Sequence, residues 1–204
     1  MADMRAFRDA VTAWAAGGSG EPAYELATLL PVQGAVLLEG PSDVAAVEAL
    51  AEGYGRDLAA ESVCVLAMGG AMNVTRFVDR LGPKGLDLQL TGLCDERERG
   101  YYDRAWARSG LPPHFFVCDE DLEDELIRAL GVARVTELIE QQGDLRPLRI
   151  FLSQPAQRGR SPHRQLRRFL GTKKGRKVHY GRVLVDALPH EHVPTPLADL
   201  LDFI

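Results

Sequence analysis

The sequence predicts an α/β fold with a mainly parallel, four-stranded sheet flanked by helices and a helical C-terminal extension. Between residues 35 and 130, apolar strand-like runs alternate four times with helix-like segments. This alternation requires crossover connections, which leave the strands parallel and the helices on both faces of the sheet. The strand-like runs are apolar throughout, as is typical of strands that are buried on both faces.

Hydrophobic periodicity places the individual elements along the chain. A helix is predicted over residues 4–14 and, after a glycine-rich linker, a short helix over 22–30. Strands are predicted at 35–38, 62–67, 86–93 and 115–118, and the helices that follow them at 42–52, 72–80, 99–109 and 122–130. Beyond Gly131 only helices are predicted, at 132–142, 145–152, 162–170, 178–188 and 196–203.

This pattern divides the chain into three parts. We expect an N-terminal helical segment at residues 1–32, an α/β core at 33–131, and a basic helical extension at 132–204 that packs on the core. A hydrophobic content of 46% and a charged content of 26% fit a globular chain with a core. The absence of a membrane-length apolar run and of a signal-peptide core predicts a cytoplasmic protein without membrane contact.

The net charge of −5 conceals a division along the chain. From Arg146 to Arg182 there are twelve Lys or Arg residues and no Asp or Glu. Residues 1–145 hold twelve basic and twenty-five acidic residues, a net of −13. The basic segment is either a set of solvated helix faces or a surface that neutralises phosphates, while the acidic part binds metal ions.

Acidic residues follow several of the predicted strands. Glu39 follows the first strand and Asp95 the third, while Asp121 and Glu123 come shortly after the fourth. Ligands of an open parallel sheet bind at the carboxyl ends of its strands. Asp43 and Asp121 each have a simpler explanation as carboxylates at helix starts. Together, however, these carboxylates would repel one another at one edge unless a hard cation such as Mg²⁺ or Mn²⁺ lay among them.

The order of these motifs resembles the Toprim domain, and most closely its form in the overcoming-lysogenization-defect (OLD) nucleases, here as a stand-alone domain over roughly residues 33–200. The matching motifs are Glu39-Gly40-Pro41-Ser42-Asp43, Gly69-Gly70, Asp95, Asp121-Leu122-Glu123 and a lysine-rich C-terminal helix. The resemblance implies a Rossmann-like Toprim core and a carboxylate site for Mg²⁺ or Mn²⁺. The implied metal ligands are Glu39, Asp43, Asp95, Asp121 and Glu123. The implied catalytic residues are Glu39 and Lys177, with Lys173 and Lys174 as alternatives to Lys177.

The sequence departs from the family pattern after the third strand. Many Toprim domains carry Asp-x-Asp there, whereas this chain reads Asp95-Glu96-Arg97. Either Glu96 or Glu98 replaces the second aspartate, or a second metal site is weakened. The chain also lacks the G-x-x-x-x-G-K-[ST] motif, so we do not expect it to hydrolyse ATP, and a separately encoded ATPase is a candidate partner.

From these features we expect a metal-dependent endonuclease that hydrolyses phosphodiester bonds of nucleic acid, with DNA as the favoured substrate and RNA as the alternative. Cationic side chains of the extension would contact the backbone without reading bases. The residues expected to do so are Arg164, Arg167, Arg168, Lys173, Lys174 and Arg176. The alternative is a non-catalytic Toprim module that binds nucleic acid or a separate ATPase and has lost cleavage through Arg97.

Overall fold

A computed structural model of the protein describes residues 3–173 and 175–204. Its centre is a single parallel sheet, as the sequence predicts. The strands are β1 (Gly34–Leu38), β2 (Val63–Ala67), β3 (Gln89–Asp95) and β4 (Phe116–Cys118), in the spatial order β2-β1-β3-β4.

The helices lie close to their predicted positions. They are α1 (Met4–Ala15), α2 (Glu21–Leu29), α3 (Pro41–Gly53), α4 (Val74–Leu81), α5 (Arg99–Ser109), α6 (Leu122–Gln141), α7 (Leu145–Leu152), α8 (Pro162–Leu170), α9 (Arg176–Asp186) and α10 (Thr195–Phe203). Single turns of 3-10 helix occur at Ala71–Asn73, Pro155–Gln157 and His190–His192. Within residues 3–173 and 175–204, no helix is both long enough and apolar enough to cross a membrane.

The two helices predicted at 122–130 and 132–142 are the two segments of α6, and they meet at a break at Gly131. Gly131 has φ 79° and ψ 153°, which interrupts the helical backbone of α6. A positive φ is readily adopted only by glycine. The boundary that we predict between the α/β core and the extension therefore lies at a kink, and helical structure continues on both sides of it.

Helices cover both faces of the sheet, which explains why its strands are apolar throughout. In β1, Val36 and Leu38 pack into a core with α3 and with α6 to α10. Ala35 and Leu37 point the other way, into a core with α1, α2, α4 and α5. Because successive side chains of a strand point to opposite faces, every residue of β1 after Gly34 must be apolar. The helices of the extension share the first core with α3.

The strand order creates a crevice between β1 and β3. The chain leaves β1 to form β2 on one side and later crosses to form β3 and β4 on the other side. Such a switch in direction opens a ligand-binding crevice at the carboxyl ends of the two central strands. Leu38 pairs with Leu93 in the sheet, so Glu39 and Asp95 emerge from adjacent strands at this point.

Helix α9 packs closely on the first turn of α3. A Cβ atom at Gly181 would lie only 2.7 Å from the backbone oxygen of Ser42, so glycine is needed there. Lys177 lies four residues before Gly181, on the same face of α9. The close approach at Gly181 therefore brings Lys177 to the end of α3 that carries Asp43.

We predict that Gly181→Ala lowers the free energy of unfolding by about 1–3 kcal/mol, because the new methyl group meets backbone that cannot rotate away. Urea denaturation measures this change. The matched control is Gly53→Ala at the end of α3, where a Cβ atom would have no neighbour within 4 Å. Equal stability of the two variants would contradict the proposed close contact.

Candidate metal centre

Three carboxylates meet in the crevice between β1 and β3. One oxygen from each of Glu39, Asp95 and Glu98 lies within 4.8 Å of the other two. Glu39 follows β1, Asp95 is the last residue of β3, and Glu98 directly precedes α5. The Glu98 amide donates a hydrogen bond to the Asp95 carbonyl at 2.9 Å, and this turn folds Glu98 back towards Asp95.

The backbone around this carboxylate triad is held from two sides. The Gly70 amide donates to the Glu39 carbonyl at 3.0 Å, and both Gly69 and Gly70 have positive φ, which permits the tight turn. The Tyr102 hydroxyl lies 3.2 Å from the Leu37 carbonyl oxygen and 3.1 Å from that of Leu93. The ends of β1 and β3 are thereby tied to β2 and to α5.

The triad carries more negative charge than its surroundings can stabilise. Burial raises the pKa of Asp95 to about 7, and the charges of Asp121 and Glu39 add to the effect. The pKa of Glu98 rises to about 8, first through a hydrogen bond with the Glu39 carboxyl group and then through burial. The Oε2 atom of Glu98 is buried and has no hydrogen-bond partner among the described residues.

This donor set fits a hard divalent cation. Mg²⁺ and Mn²⁺ prefer carboxylate oxygens, and the triad supplies three on a half-buried surface. A buried carboxylate oxygen without a partner costs free energy, which a bound cation would recover. A cation would also lower the raised pKa values, since it favours the ionised form of each carboxylate.

Two of the other predicted metal ligands cap helices. The Oδ2 atom of Asp43 accepts a hydrogen bond from the Gly40 amide at 2.9 Å, as expected for a carboxylate in the first turn of α3. The Oδ1 atom of Asp121 accepts from the Asp124 amide at 2.8 Å, and its Oδ2 accepts from Arg167 Nε at 2.7 Å. Both carboxylates are nevertheless close enough to the triad for their charges to raise the pKa of Asp95.

The last predicted ligand, Glu123, forms an ion pair with Lys177. The Lys177 Nζ atom lies 3.2 Å from Glu123 Oε2, and the Glu123 side chain is only 8% exposed. Burial raises the pKa of Glu123 to about 7 against the opposing charge of Lys177. Burial alone would lower the pKa of Lys177, but Glu123, Asp43 and Asp121 outweigh it and raise that pKa. The lysine is therefore charged at neutral pH.

The structure separates two of the three candidate lysines. Lys177 lies at the carboxylates, whereas Lys173 lines a different, largely apolar pocket beside Phe151 and Phe169. Lys174 lies outside the residues that the structure describes.

The arginines of the extension that we predict to contact nucleic acid also differ in their exposure and in their ion pairs. Arg164 and Arg168 are exposed on α8, while Arg167 pairs with Glu120 and Asp121. Arg176 contradicts the prediction, since its side chain is only 6% exposed.

Arg176 instead has a structural role inside the extension. Its Nε lies 3.3 Å from Asp144 Oδ2, its Nη1 donates to Thr172 Oγ1 at 2.8 Å, and its guanidinium covers the Phe169 ring at 4.1 Å. A planar cation over an aromatic face is stabilised by the ring quadrupole. This packing leaves Arg176 no free surface for a phosphate.

The sequence did not decide between Glu96 and Glu98 as the replacement for the second aspartate after β3. It did not place Glu98 among the metal ligands. Glu96 is exposed, and its side chain lies 3.9 Å from Arg99 in an ion pair, whereas Glu98 joins the triad. The turn from Asp95 to Glu98 makes the difference, because residues three apart across such a turn approach each other.

We predict that Glu98→Gln weakens Mn²⁺ binding by about 10-fold or more, because it removes one charged ligand. Isothermal titration calorimetry measures the affinity. Glu96→Gln is the control, since it removes the same charge two residues away and should change the affinity by no more than about 2-fold. Equal losses in both variants would contradict the assignment of Glu98 to the triad.

A second prediction concerns the pH dependence of stability in the presence of EDTA. The pKa values of Asp95 (about 7) and Glu98 (about 8) exceed their ordinary values of 3.8 and 4.5, so the folded protein holds more protons than the unfolded chain between these limits. The free energy of unfolding should therefore fall as the pH rises from about 4 to about 8. Urea denaturation tests this.

Added Mn²⁺ should restore the stability at about pH 8, because the cation binds the ionised carboxylates of the folded state. Glu98→Gln should show a shallower decline, since it lacks one of the titrating groups. A stability that stays constant across this range in EDTA would contradict the raised pKa values.

Comparisons with known proteins agree with this geometry. Residues 32–96 match the family model described as the overcoming lysogenization defect protein-like Toprim domain. This match includes Glu39 and Asp95 of the triad. No curated protein sequence matches the chain.

Two solved structures show the same fold. The C-terminal region of the Burkholderia pseudomallei OLD protein superposes with a TM-score of 0.62 at 19% identity, covering 84% of this chain and 96% of that one. The C-terminal region of the Xanthomonas campestris pv. campestris OLD protein gives a TM-score of 0.62 at 22% identity, covering 83% and 92%. Residues 32–96 therefore match an OLD-like Toprim domain, and the chain shares its fold with the C-terminal regions of two OLD proteins.

Proposed function

We propose that the protein is a Mg²⁺- or Mn²⁺-dependent phosphodiester hydrolase that cleaves nucleic acid, DNA rather than RNA. The observation that carries this proposal is the half-buried triad of Glu39, Asp95 and Glu98, which lies near the charged Lys177 at the switch point of the sheet. The family supports it, because OLD-like Toprim domains belong to a family of metal-dependent nucleases.

The triad would hold the cation directly. A bound cation of this kind polarises a phosphoryl oxygen and supplies hydroxide at neutral pH. We retain Asp43, Asp121 and Glu123 as outer carboxylates of the site. Their present partners occupy some of their oxygens, but their negative charges lie beside the triad and would stabilise a dication there by Coulomb attraction.

Lys177 would act on the substrate as a fixed positive charge. Its ion pair with the buried Glu123 orients the ammonium group, and the neighbouring carboxylates keep it protonated. A preorganised cation stabilises negative charge that develops on the scissile phosphate and the leaving oxygen. Since Glu123 neutralises it in the resting protein, Lys177 is held in position without an unpaired charge.

The basic extension would bind the nucleic-acid backbone. Arg164, Arg167 and Arg168 of α8 border the same side of the carboxylate site as Asp121. Lys173 and Lys174 follow α8 in the sequence and would add positive charge to this part of the extension. Contacts of this kind bind phosphates and read no bases, so binding should be salt-dependent and largely independent of sequence.

Arg97 favours a second candidate function, a non-catalytic module that binds nucleic acid or a separate ATPase. It is exposed, and it adds a cation close to the carboxylates where Toprim domains often have a further aspartate. In that case the fold and the backbone contacts would persist without cleavage.

We predict that the wild-type protein cleaves plasmid or linear DNA with Mg²⁺ or Mn²⁺, and that Glu39→Gln lowers the rate by about 100-fold or more, because a ligand of the cation loses its charge. Gel analysis of cleavage measures the rate, and fluorescence anisotropy in EDTA should show DNA affinity within about 2-fold of wild type. The control is Glu25→Gln on the exposed side of α2, which should cleave normally. A wild-type protein that binds DNA but cleaves neither DNA nor RNA would favour the non-catalytic module.

A further inference from the structure

A cavity rich in arginine borders the carboxylate site. It has a volume of about 420 Å³. Its basic lining residues are Arg97, Arg160, Arg164, Arg167 and Arg168, and its acidic ones are Glu120 and Asp121. Five positive charges against two negative ones make it strongly electropositive, in contrast to the adjoining triad. We call it the arginine pocket.

The positive charge of the arginine pocket is only partly neutralised. Arg167 is the residue that pairs with the two acids, Glu120 and Asp121. In the described ranges, 3–173 and 175–204, the side chains of Arg97, Arg164 and Arg168 form neither an ion pair nor a hydrogen bond, whereas Arg160 Nε donates to the Ala156 carbonyl at 2.9 Å.

The charges of the pocket come from two parts of the chain. Arg97 precedes α5, and it lines the same cavity as Arg164 and Arg168 of α8, so its charge adds to theirs. Three unpaired guanidinium groups remain available to an anion.

The chemistry of the lining selects a phosphate. Guanidinium groups bind phosphate oxygens through paired N–H donors, so several arginines around one concave surface fit a phosphate group. Among the residues that the structure describes, no aromatic or apolar side chain lines the pocket for a nucleobase to stack on. Its recognition would thus be of charge and of the tetrahedral oxygen arrangement.

The position of the pocket relates it to the proposed reaction. Arg97 lines the pocket, and along the chain it lies between Asp95 and Glu98 of the triad. A phosphate in the pocket would therefore lie beside the site where the scissile phosphate is expected. The nucleic-acid strand would pass from the cation site directly into the arginine pocket.

We infer that the arginine pocket is a phosphate subsite that holds, through Arg97, Arg164 and Arg168, a phosphate of the nucleic-acid strand other than the one cleaved. This inference rests on the proposed function for the role of the neighbouring triad. The phosphate is either an internal phosphodiester or a terminal phosphate monoester, both of which offer the same oxygens to the guanidinium groups.

Binding measured in EDTA tests the subsite without cleavage. We predict that Arg97→Gln and Arg164→Gln each weaken the affinity for a fluorescein-labelled DNA duplex by about 5-fold or more, and reduce the slope of log affinity against log salt by about one. The matched control is Arg158→Gln, an exposed arginine of the same basic segment that does not line the pocket. It should weaken binding by less than about 2-fold. Circular dichroism confirms that each variant is folded.

Two further arms identify the source of the phosphate. Inorganic phosphate should compete with DNA for the wild-type protein and not for the Arg97→Gln/Arg164→Gln double variant. A wild-type preference for duplexes with a 5′-phosphate over a 5′-hydroxyl, lost in the double variant, supports a terminal monoester. Equal affinity for both ends, with the same loss in the double variant, supports an internal phosphodiester.

The subsite is overturned if Arg97→Gln and Arg164→Gln bind DNA as Arg158→Gln does, or if the wild-type protein binds neither DNA nor inorganic phosphate. These results are independent of the nuclease assay. Loss of binding in the pocket variants of a protein that cleaves nothing would refute the proposed hydrolase and retain the pocket. Normal binding by the pocket variants of an active nuclease would refute the pocket alone.

Discussion

The repulsion among carboxylates at the ends of β1 and β3 is the constraint on which the rest of the site depends. Parallel pairing aligns Leu38 with Leu93, so the acidic residues that follow have to emerge side by side. Burial is the main reason that the pKa of Asp95 is raised, and repulsion by the charges of Asp121 and Glu39 raises it further. A divalent cation held by the triad would relieve this repulsion.

Positive charge from the C-terminal extension balances the outer carboxylates. Lys177 of α9 pairs with Glu123, and Arg167 of α8 pairs with Asp121. These contacts join residues far apart in sequence, and they fix the extension to the acidic edge of the core. The division of charge between an acidic core and a basic extension thus has a structural consequence, since each part neutralises the other where they meet.

The fold of this protein follows closely from local patterns. The strand β1 is apolar at every position from Ala35 to Leu38 because both of its faces are covered, and this feature alone indicates a buried parallel strand. The Gly69-Gly70 pair marks a tight turn because its backbone requires positive φ. Gly131 separates two helical segments, those of α6, as its place in the sequence predicts. In each case the information lies within a few neighbouring residues.

The sequence by itself determined the order of strands and helices, the acidic ends of β1 and β3, and the concentration of positive charge after residue 145. Only the tertiary structure decided which charged side chains remain exposed and able to bind a ligand. Arg176 and Arg164 are alike in sequence, but packing against Phe169 and Asp144 buries the first and leaves the second exposed. Glu96 and Glu98 are likewise separated only by a turn. The physical reason is that the interaction energy and the pKa of an ionic group depend on its solvation and its nearest partners. The folded chain sets both.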